Sequence, residues 1–152
     1  MEIRTFFDLI EWTRILHEKL AKCLAHCAPL HSDERASFLL QYLASHEVEM
    51  EQMVAEFQRQ ADPNAASTHV YDYVPHDSVT THLECDDHYA KINAAAISAE
   101  VFDFHEQINS LYQTLVGKAE IRSAADLVKS LLDMEVEQTK RLVRQVERMN
   151  DL

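Results

Sequence analysis

Hydrophobic residues recur every three or four positions along four stretches of this chain, which is the spacing of the buried face of a helix. The first stretch ends at Pro29, and the second fades at Asp62-Pro63-Asn64. The third ends at Gly117, and the fourth continues almost to the last residue. The pattern therefore predicts four amphipathic helices.

Short polar residues predict where these helices begin, because their side chains accept hydrogen bonds from free backbone N–H groups in the first turn. The predicted starts are Thr5 with Asp8, Ser32 or Asp33, Thr81 with Glu84, and Ser123 with Asp126. Gly117, the single glycine of the chain, is predicted to end the third helix in a left-handed backbone conformation.

The spacing of the helices predicts two hairpins, at about 5–60 and 81–150, joined by a long crossover at about 61–80. One glycine and three prolines are too few for the many tight turns of a β-sandwich or barrel. We therefore expect an all-α fold, an antiparallel four-helix bundle forming a single domain over residues 1–152.

The two predicted hairpins resemble each other when the chain is shifted by 88 residues, which is the signature of an internal repeat. The turn at Pro29 then falls on Gly117. The matching polar positions are His17-Glu18 with His105-Glu106 and Glu47-Val48-Glu49 with Glu135-Val136-Glu137. A duplicated hairpin would place equivalent residues opposite each other across an approximate two-fold axis.

Two of these matched residues, Glu47 and Glu135, lie on apolar helix faces. A buried carboxylate without a partner costs several kcal/mol, so it must be protonated, paired or bound to a metal. Two carboxylates that converge in a core would also repel each other. A divalent cation between them is the simplest remedy, and the sequence therefore indicates a metal site.

The remaining ligands of such a site stay open at this point. His17 and His105 lie close to the apolar stripes of their helices, whereas Glu18 and Glu106 follow them by one residue. Rotating each helix by one residue would exchange the two imidazoles for two further carboxylates in the core. Helical periodicity alone does not show which pair faces inward. His46 lies close enough to Glu47 to support a ligand.

This pattern resembles the ferritin-like superfamily, especially its rubrerythrin-type and bacterioferritin-type di-iron bundles, over essentially the whole chain. In that family the first and third helices each contribute a Glu, and the second and fourth each contribute a Glu-x-x-His. Glu18, Glu106, Glu47 and Glu135 match the four Glu positions. The two His positions hold Met50 and Gln138, which departs from the family pattern.

The resemblance implies a metal-binding protein that uses iron or manganese, with zinc less favoured, for oxidase, peroxidase or iron-handling chemistry with oxygen or peroxide. The alternative, which Met50 and Gln138 favour, is a metal-free bundle of the same fold that acts as a dimeric interaction or sensor module. Aromatic residues near the N-terminus exceed the need of one buried stripe and predict a homodimer; they are Phe6, Phe7 and Trp12.

Charge and cysteine content limit the classes of partner and the cellular compartment that we expect for this chain. The net charge of −12 repels nucleic acid and anionic membranes, so neither is an expected partner. The sequence contains an odd number of cysteines, three, and we find neither a signal peptide nor an apolar run long enough for a membrane span. We therefore expect a reduced, cytoplasmic protein.

Two smaller clusters also contain metal-ligand residue types. Cys23, His26 and Cys27 share one helix, where two small buried hydrophobic residues are the simpler interpretation. His82, Cys85 and His88 are spaced by three and form the better secondary metal candidate. For these three we expect an exposed, polar helix start.

Overall fold

The computed structural model describes residues 2–70 and 78–151, and four long helices dominate these two ranges. They are α1 (Phe6–Cys27), α2 (Glu34–Gln60), α5 (Ala94–Lys118) and α6 (Arg122–Asn150). Two short helices, α3 (Pro63–Ala66) and α4 (His88–Lys91), lie between α2 and α5. The four long helices confirm the predicted all-α fold class.

The starts of α1 and α2 follow the predicted capping residues. The backbone N–H of Asp8 donates to Thr5 Oγ1 at 3.2 Å, and the N–H of Thr5 donates back to Asp8 Oδ2 at 3.1 Å. Asp33 rather than Ser32 caps α2, since its side chain accepts from the N–H of Arg35. Pro29 lies in a 3₁₀ turn, Ala28–Leu30, that joins the two helices.

The predicted start of the third long helix at Thr81 and Glu84 is wrong. Its first residue is Ala94, and Asn93 caps it by accepting from the N–H of Ala96 at 2.8 Å. The residues before it are mostly polar, and the carbonyls of Leu83 and Asp86 among them accept hydrogen bonds from cysteine thiols of α1. These residues therefore have the spacing of a capping box, but their backbone carbonyls bind α1 and no long helix begins there.

The predictions for the turn between α5 and α6 are also corrected. Gly117 lies inside α5, and no residue in the described ranges has a positive φ angle. α6 begins at Arg122 with Ile121 as its cap residue, so Ser123 is already helical. Neither end of this turn uses a side-chain cap or a left-handed residue.

The crossover carries the chain from one end of the bundle to the other. The N–H of Phe6 donates to the Thr68 carbonyl at 3.0 Å, so the crossover begins beside the start of α1. Its last part lies at the opposite end, where the Cys27 thiol donates to the Asp86 carbonyl at 3.1 Å. α5 therefore runs parallel to α2 and antiparallel to α1. Residues 71–77 of the predicted crossover lie outside the described residues.

The core lies between the four long helices and uses the apolar stripe of each one. Phe6 and Trp12 are buried in it, and only Phe7 of the three N-terminal aromatics is exposed. Two of the three residues behind the homodimer prediction thus pack within the chain. No helix in the described ranges combines the length and apolar character that crossing a lipid bilayer requires.

Replacing Gly117 tests the helical ending of α5. A Cβ atom at this position would have no neighbouring atom within 4 Å, and the backbone is helical. We expect Gly117→Ala to raise the free energy of unfolding by about 0.5 kcal/mol, because alanine loses less conformational entropy in a helix. Urea denaturation measures the change, and Ala99→Gly, at an exposed position of the same helix, should lower stability. A loss of stability in Gly117→Ala would instead indicate a left-handed residue.

Candidate functional site

Each long helix places one ionisable side chain at the same point of the core. These side chains are His17 from α1, Glu47 from α2, His105 from α5 and Glu135 from α6. All four residues are 0% exposed. The structure thus brings together the two carboxylates that the sequence predicted and the two histidines of one of its two ligand alternatives.

Three hydrogen bonds link the four side chains in alternating order. His17 donates from Nδ1 to Glu47 Oε2 at 2.6 Å and from Nε2 to Glu135 Oε1 at 2.9 Å. His105 donates from Nε2 to Glu47 Oε1 at 2.5 Å. Glu47 therefore accepts from both imidazoles, one through each carboxylate oxygen.

The fourth link that would close the ring is missing. The 88-residue offset makes His105 the counterpart of His17 and Glu135 the counterpart of Glu47. The bond from His17 Nδ1 to Glu47 Oε2 should therefore have a counterpart between His105 Nδ1 and Glu135 Oε2. Both of these atoms are buried and have no hydrogen-bond partner. A buried polar atom without a partner costs about 1–3 kcal/mol, so each of these two atoms favours a bound group.

The charges in this cluster stabilise one another. Burial alone would raise the pKa of Glu47, but the charges of His105 and His17 hold that pKa well below its usual range. Burial alone would lower the pKa of His17, but the Glu135 and Glu47 carboxylates raise it to about 10. At neutral pH, His17 is therefore an imidazolium between carboxylates.

Two further side chains border the cluster. The ring of Phe104 packs edge-on against both His17 and His105, with centroids 5.4 Å and 5.3 Å away. His46 lies beside His105 with ring centroids 5.8 Å apart, and its buried Nε2 has no hydrogen-bond partner. Burial lowers the pKa of His46, which favours its neutral form.

Sequence reasoning missed a buried hydroxyl pair next to this cluster. Tyr112 of α5 is fully buried and hydrogen-bonds Thr13 of α1, whose hydroxyl donates to the Leu9 carbonyl at 3.0 Å. Burial, and then the charge of Glu135, raises the pKa of Tyr112 well above its usual value. Both residues interrupt otherwise apolar helix stripes, which is the signal that could have identified them.

The structure does not bring Glu18 or Glu106 into the cluster. Glu18 pairs with Lys22 at 2.9 Å and with Arg14 at 3.2 Å on the outside of α1. Glu106 is exposed on α5. Met50, at the first family His position, is fully buried, and Gln138, at the second, is half-buried. Sequence periodicity did not determine how α1 and α5 are rotated, and the structure shows that both helices turn their histidines inward.

Comparison with known proteins identifies the fold. The structure is similar to that of a ferritin-like diiron-carboxylate protein from Thermotoga maritima, with a TM-score of 0.53 and 15% sequence identity. The match covers 95% of this chain and 95% of that one. No family model matches the sequence, and no curated protein matches it. The likeness confirms the predicted ferritin-like fold.

The stability of the metal-free protein should depend on pH through the buried cluster. Because the pKa of His17 is raised in the folded chain, its ion pairs stabilise the fold fully at a pH below 6.5, the pKa of the unfolded residue. This contribution is lost as the pH rises towards 10. Because the pKa of Glu47 is lowered in the folded chain, its ion pairs contribute stability at a pH above 4.5, the pKa of the unfolded residue. That stability is lost as the pH falls below 4.5. We expect urea denaturation in EDTA to show maximal stability at about pH 5–6 and a fall of a few kcal/mol by pH 9.5.

An exposed histidine provides the control for this pH profile. His26→Gln, on the outer face of α1, should show the same decline between pH 7 and 9.5 as the native chain. A stability that is constant or rises over that interval would contradict the assignment of His17 as a buried imidazolium.

Proposed function

We propose that this chain is a metal-binding protein that holds one redox-active divalent cation, iron or manganese, among His17, Glu47, His105 and Glu135. Potential ligand atoms of His17, Glu47 and His105 all lie within 4.8 Å of one another, and this close approach carries the proposal. The open edge of the ring beside Glu135 adds to it. There, His105 Nδ1 and Glu135 Oε2 lack partners, although the other ring contacts are made at hydrogen-bond distance. A cation is a group that can satisfy such atoms and balance the two carboxylates.

The residue types fit one cation better than two. Two imidazoles and two carboxylates are a donor set that iron, manganese and zinc accept. A di-iron centre of the ferritin-like kind uses four carboxylates and two histidines. Glu18 and Glu106 face outward here, and Met50 and Gln138 replace the histidines of the Glu-x-x-His pairs. Too few donors therefore remain for a second ion.

The chain's own residues would prepare this position for a metal. His17 bonds carboxylates through both ring nitrogens, so it must give up a proton and one partner to become a ligand. The carboxylate it keeps would orient the ring, an arrangement common around metal-bound histidines. Phe104 packs against both imidazoles and helps to exclude water from the position.

The activity proposed for this centre is oxidase, peroxidase or iron-handling chemistry with oxygen or peroxide. Iron and manganese change oxidation state, and this supplies the redox step when either is bound. The Thermotoga maritima neighbour is described as a diiron-carboxylate protein, which supports metal chemistry in this fold. A negative net charge also favours the arrival of cations.

A second candidate function is a metal-free bundle that acts as a dimeric interaction or sensor module. One observation favours it. The His17 imidazolium lies between two carboxylates and already neutralises much of their charge. A buried cluster of this kind can persist as a structural ion-pair network without any metal.

Metal content in matched Glu variants separates the two candidates. Elemental analysis of protein purified after growth with iron and manganese should find about one iron or manganese ion per chain, as the donor count predicts. Glu47→Gln and Glu135→Gln should lose most of this metal, because the amide leaves one neutral oxygen in place of a carboxylate. Glu18→Gln and Glu106→Gln should retain it, since both residues lie outside the cluster.

Circular dichroism must show that each variant remains helical, since breaking a buried ion pair costs about 3–5 kcal/mol. Metal retained in a folded Glu47→Gln, Glu135→Gln double variant would contradict the proposed centre. A native chain that stays metal-free, and whose melting temperature does not respond to iron or manganese, would favour the interaction module.

A further inference from the structure

A second group of metal-ligand side chains lies where the end of the crossover meets α5, separate from the central cluster. His82 donates from Nε2 to Asp86 Oδ1 at 2.7 Å, and His88 donates from Nε2 to Glu100 Oε2 at 2.8 Å. The two imidazole rings are 4.3 Å apart between centroids and tilted by 38°. Two carboxylate–histidine pairs therefore meet side by side.

Further donors surround the two rings. Potential ligand atoms of His82, Glu84 and Asp86 all lie within 4.8 Å of one another. The rings and Glu100 line a surface pocket together with Asp103 and two threonines, Thr80 and Thr81. Oγ1 of Thr81 is buried and lacks a hydrogen-bond partner. The group is thus rich in acidic and imidazole donors and is not fully satisfied by its own contacts.

The backbone that carries these residues is fixed although most of it is not helical. The Tyr89 hydroxyl donates to the His82 carbonyl at 2.6 Å, and the Cys23 thiol donates to the Leu83 carbonyl at 3.3 Å. The N–H of His88 donates to Asp86 Oδ1 at 3.0 Å. These bonds hold the donors together before any ligand arrives, which lowers the entropic cost of binding one.

We propose that this pocket binds a zinc ion through His82, Glu84, Asp86 and His88, with Glu100 orienting the His88 ring. Imidazole nitrogens and carboxylate oxygens are ligands that zinc accepts, and four of them suit its tetrahedral preference. His88 bonds Glu100 through Nε2 and keeps Nδ1 for the metal. At His82 the ion would take the place of the proton that Nε2 shares with Asp86, so that both residues become ligands. The pairing of His88 with Glu100 has the carboxylate–histidine form found around protein-bound zinc.

Zinc here would tie the crossover to α5. His82, Glu84 and Asp86 precede α4, His88 begins it, and Glu100 lies in the second turn of α5. A bound ion would also reduce the repulsion among the acidic side chains of this pocket. The sequence predicted an exposed polar helix start at these residues, and α5 in fact begins after them at Ala94. This site does not depend on the function proposed for the central cluster.

Zinc titration monitored by hydrogen–deuterium exchange tests the site directly. Zinc chloride added to the metal-free chain should slow exchange in peptides covering residues 79–93. The same protection should appear in Glu47→Gln, because the central cluster is not involved. Isothermal titration should show binding weakened about 10- to 100-fold in Glu100→Gln, the usual loss when a ligand's carboxylate partner is removed. The loss in His82→Ala, His88→Ala should be larger.

The matched control is His26→Ala, which removes a histidine of the same acidic region that lies 3.9 Å from Asp87 outside the proposed ligand set. It should bind zinc as the native chain does. Unchanged zinc affinity in the folded His82→Ala, His88→Ala variant, or no protection of residues 79–93 in the native chain, would overturn the proposal.

Discussion

The carboxylate of Glu47, removed from water and held by two imidazoles, is the interaction on which the core of this protein depends. Desolvating a charged group costs several kcal/mol even after relaxation, and only close opposite charges recover that cost. Glu47 recovers it through His17 on its own hairpin and His105 on the other. This single carboxylate therefore links the two halves of the bundle through a polar contact that an apolar core would not provide.

The rotation of each helix determines what chemistry the interior can hold. Adjacent residues on a helix point about 100° apart, so α1 can turn either His17 or Glu18 inward, but not both. The structure turns the histidines of α1 and α5 inward and leaves Glu18 paired with Lys22 and Arg14 at the surface. The opposite rotation would place four carboxylates in the site; the observed one gives an open ring in which two carboxylates and two imidazoles alternate.

Much of this arrangement could be predicted from the sequence, because burial follows helical periodicity. Glu47 and Glu135 interrupt apolar stripes. The equal spacing from His17 to Glu47 and from His105 to Glu135 predicted that the histidines lie at the same height in the bundle as the carboxylates. The ligand choice could not be predicted, since a rotation by one residue leaves the periodicity nearly unchanged. Tyr112 and Thr13 were overlooked because a single hydroxyl within an apolar stripe leaves the helical periodicity unchanged.

The errors in the fold prediction arose where local signals competed with contacts distant in sequence. Thr81 and Glu84 have capping spacing. Thiols of α1 instead donate to backbone carbonyls on both sides of Glu84, and Asn93 caps the helix. Gly117 was interpreted as a left-handed helix end from its residue type alone. Its backbone remains helical, and the chain leaves the helix at Ala119 in an extended conformation.

Nitrogen-15 NMR of the histidine rings tests the central interaction most directly. In the metal-free protein at pH 8, the resonances that disappear in His17→Gln should show two protonated ring nitrogens, because His17 donates to Glu47 and Glu135 at once. A neutral His17 ring at that pH, with one nitrogen lacking a proton, would contradict the charge arrangement described for the core.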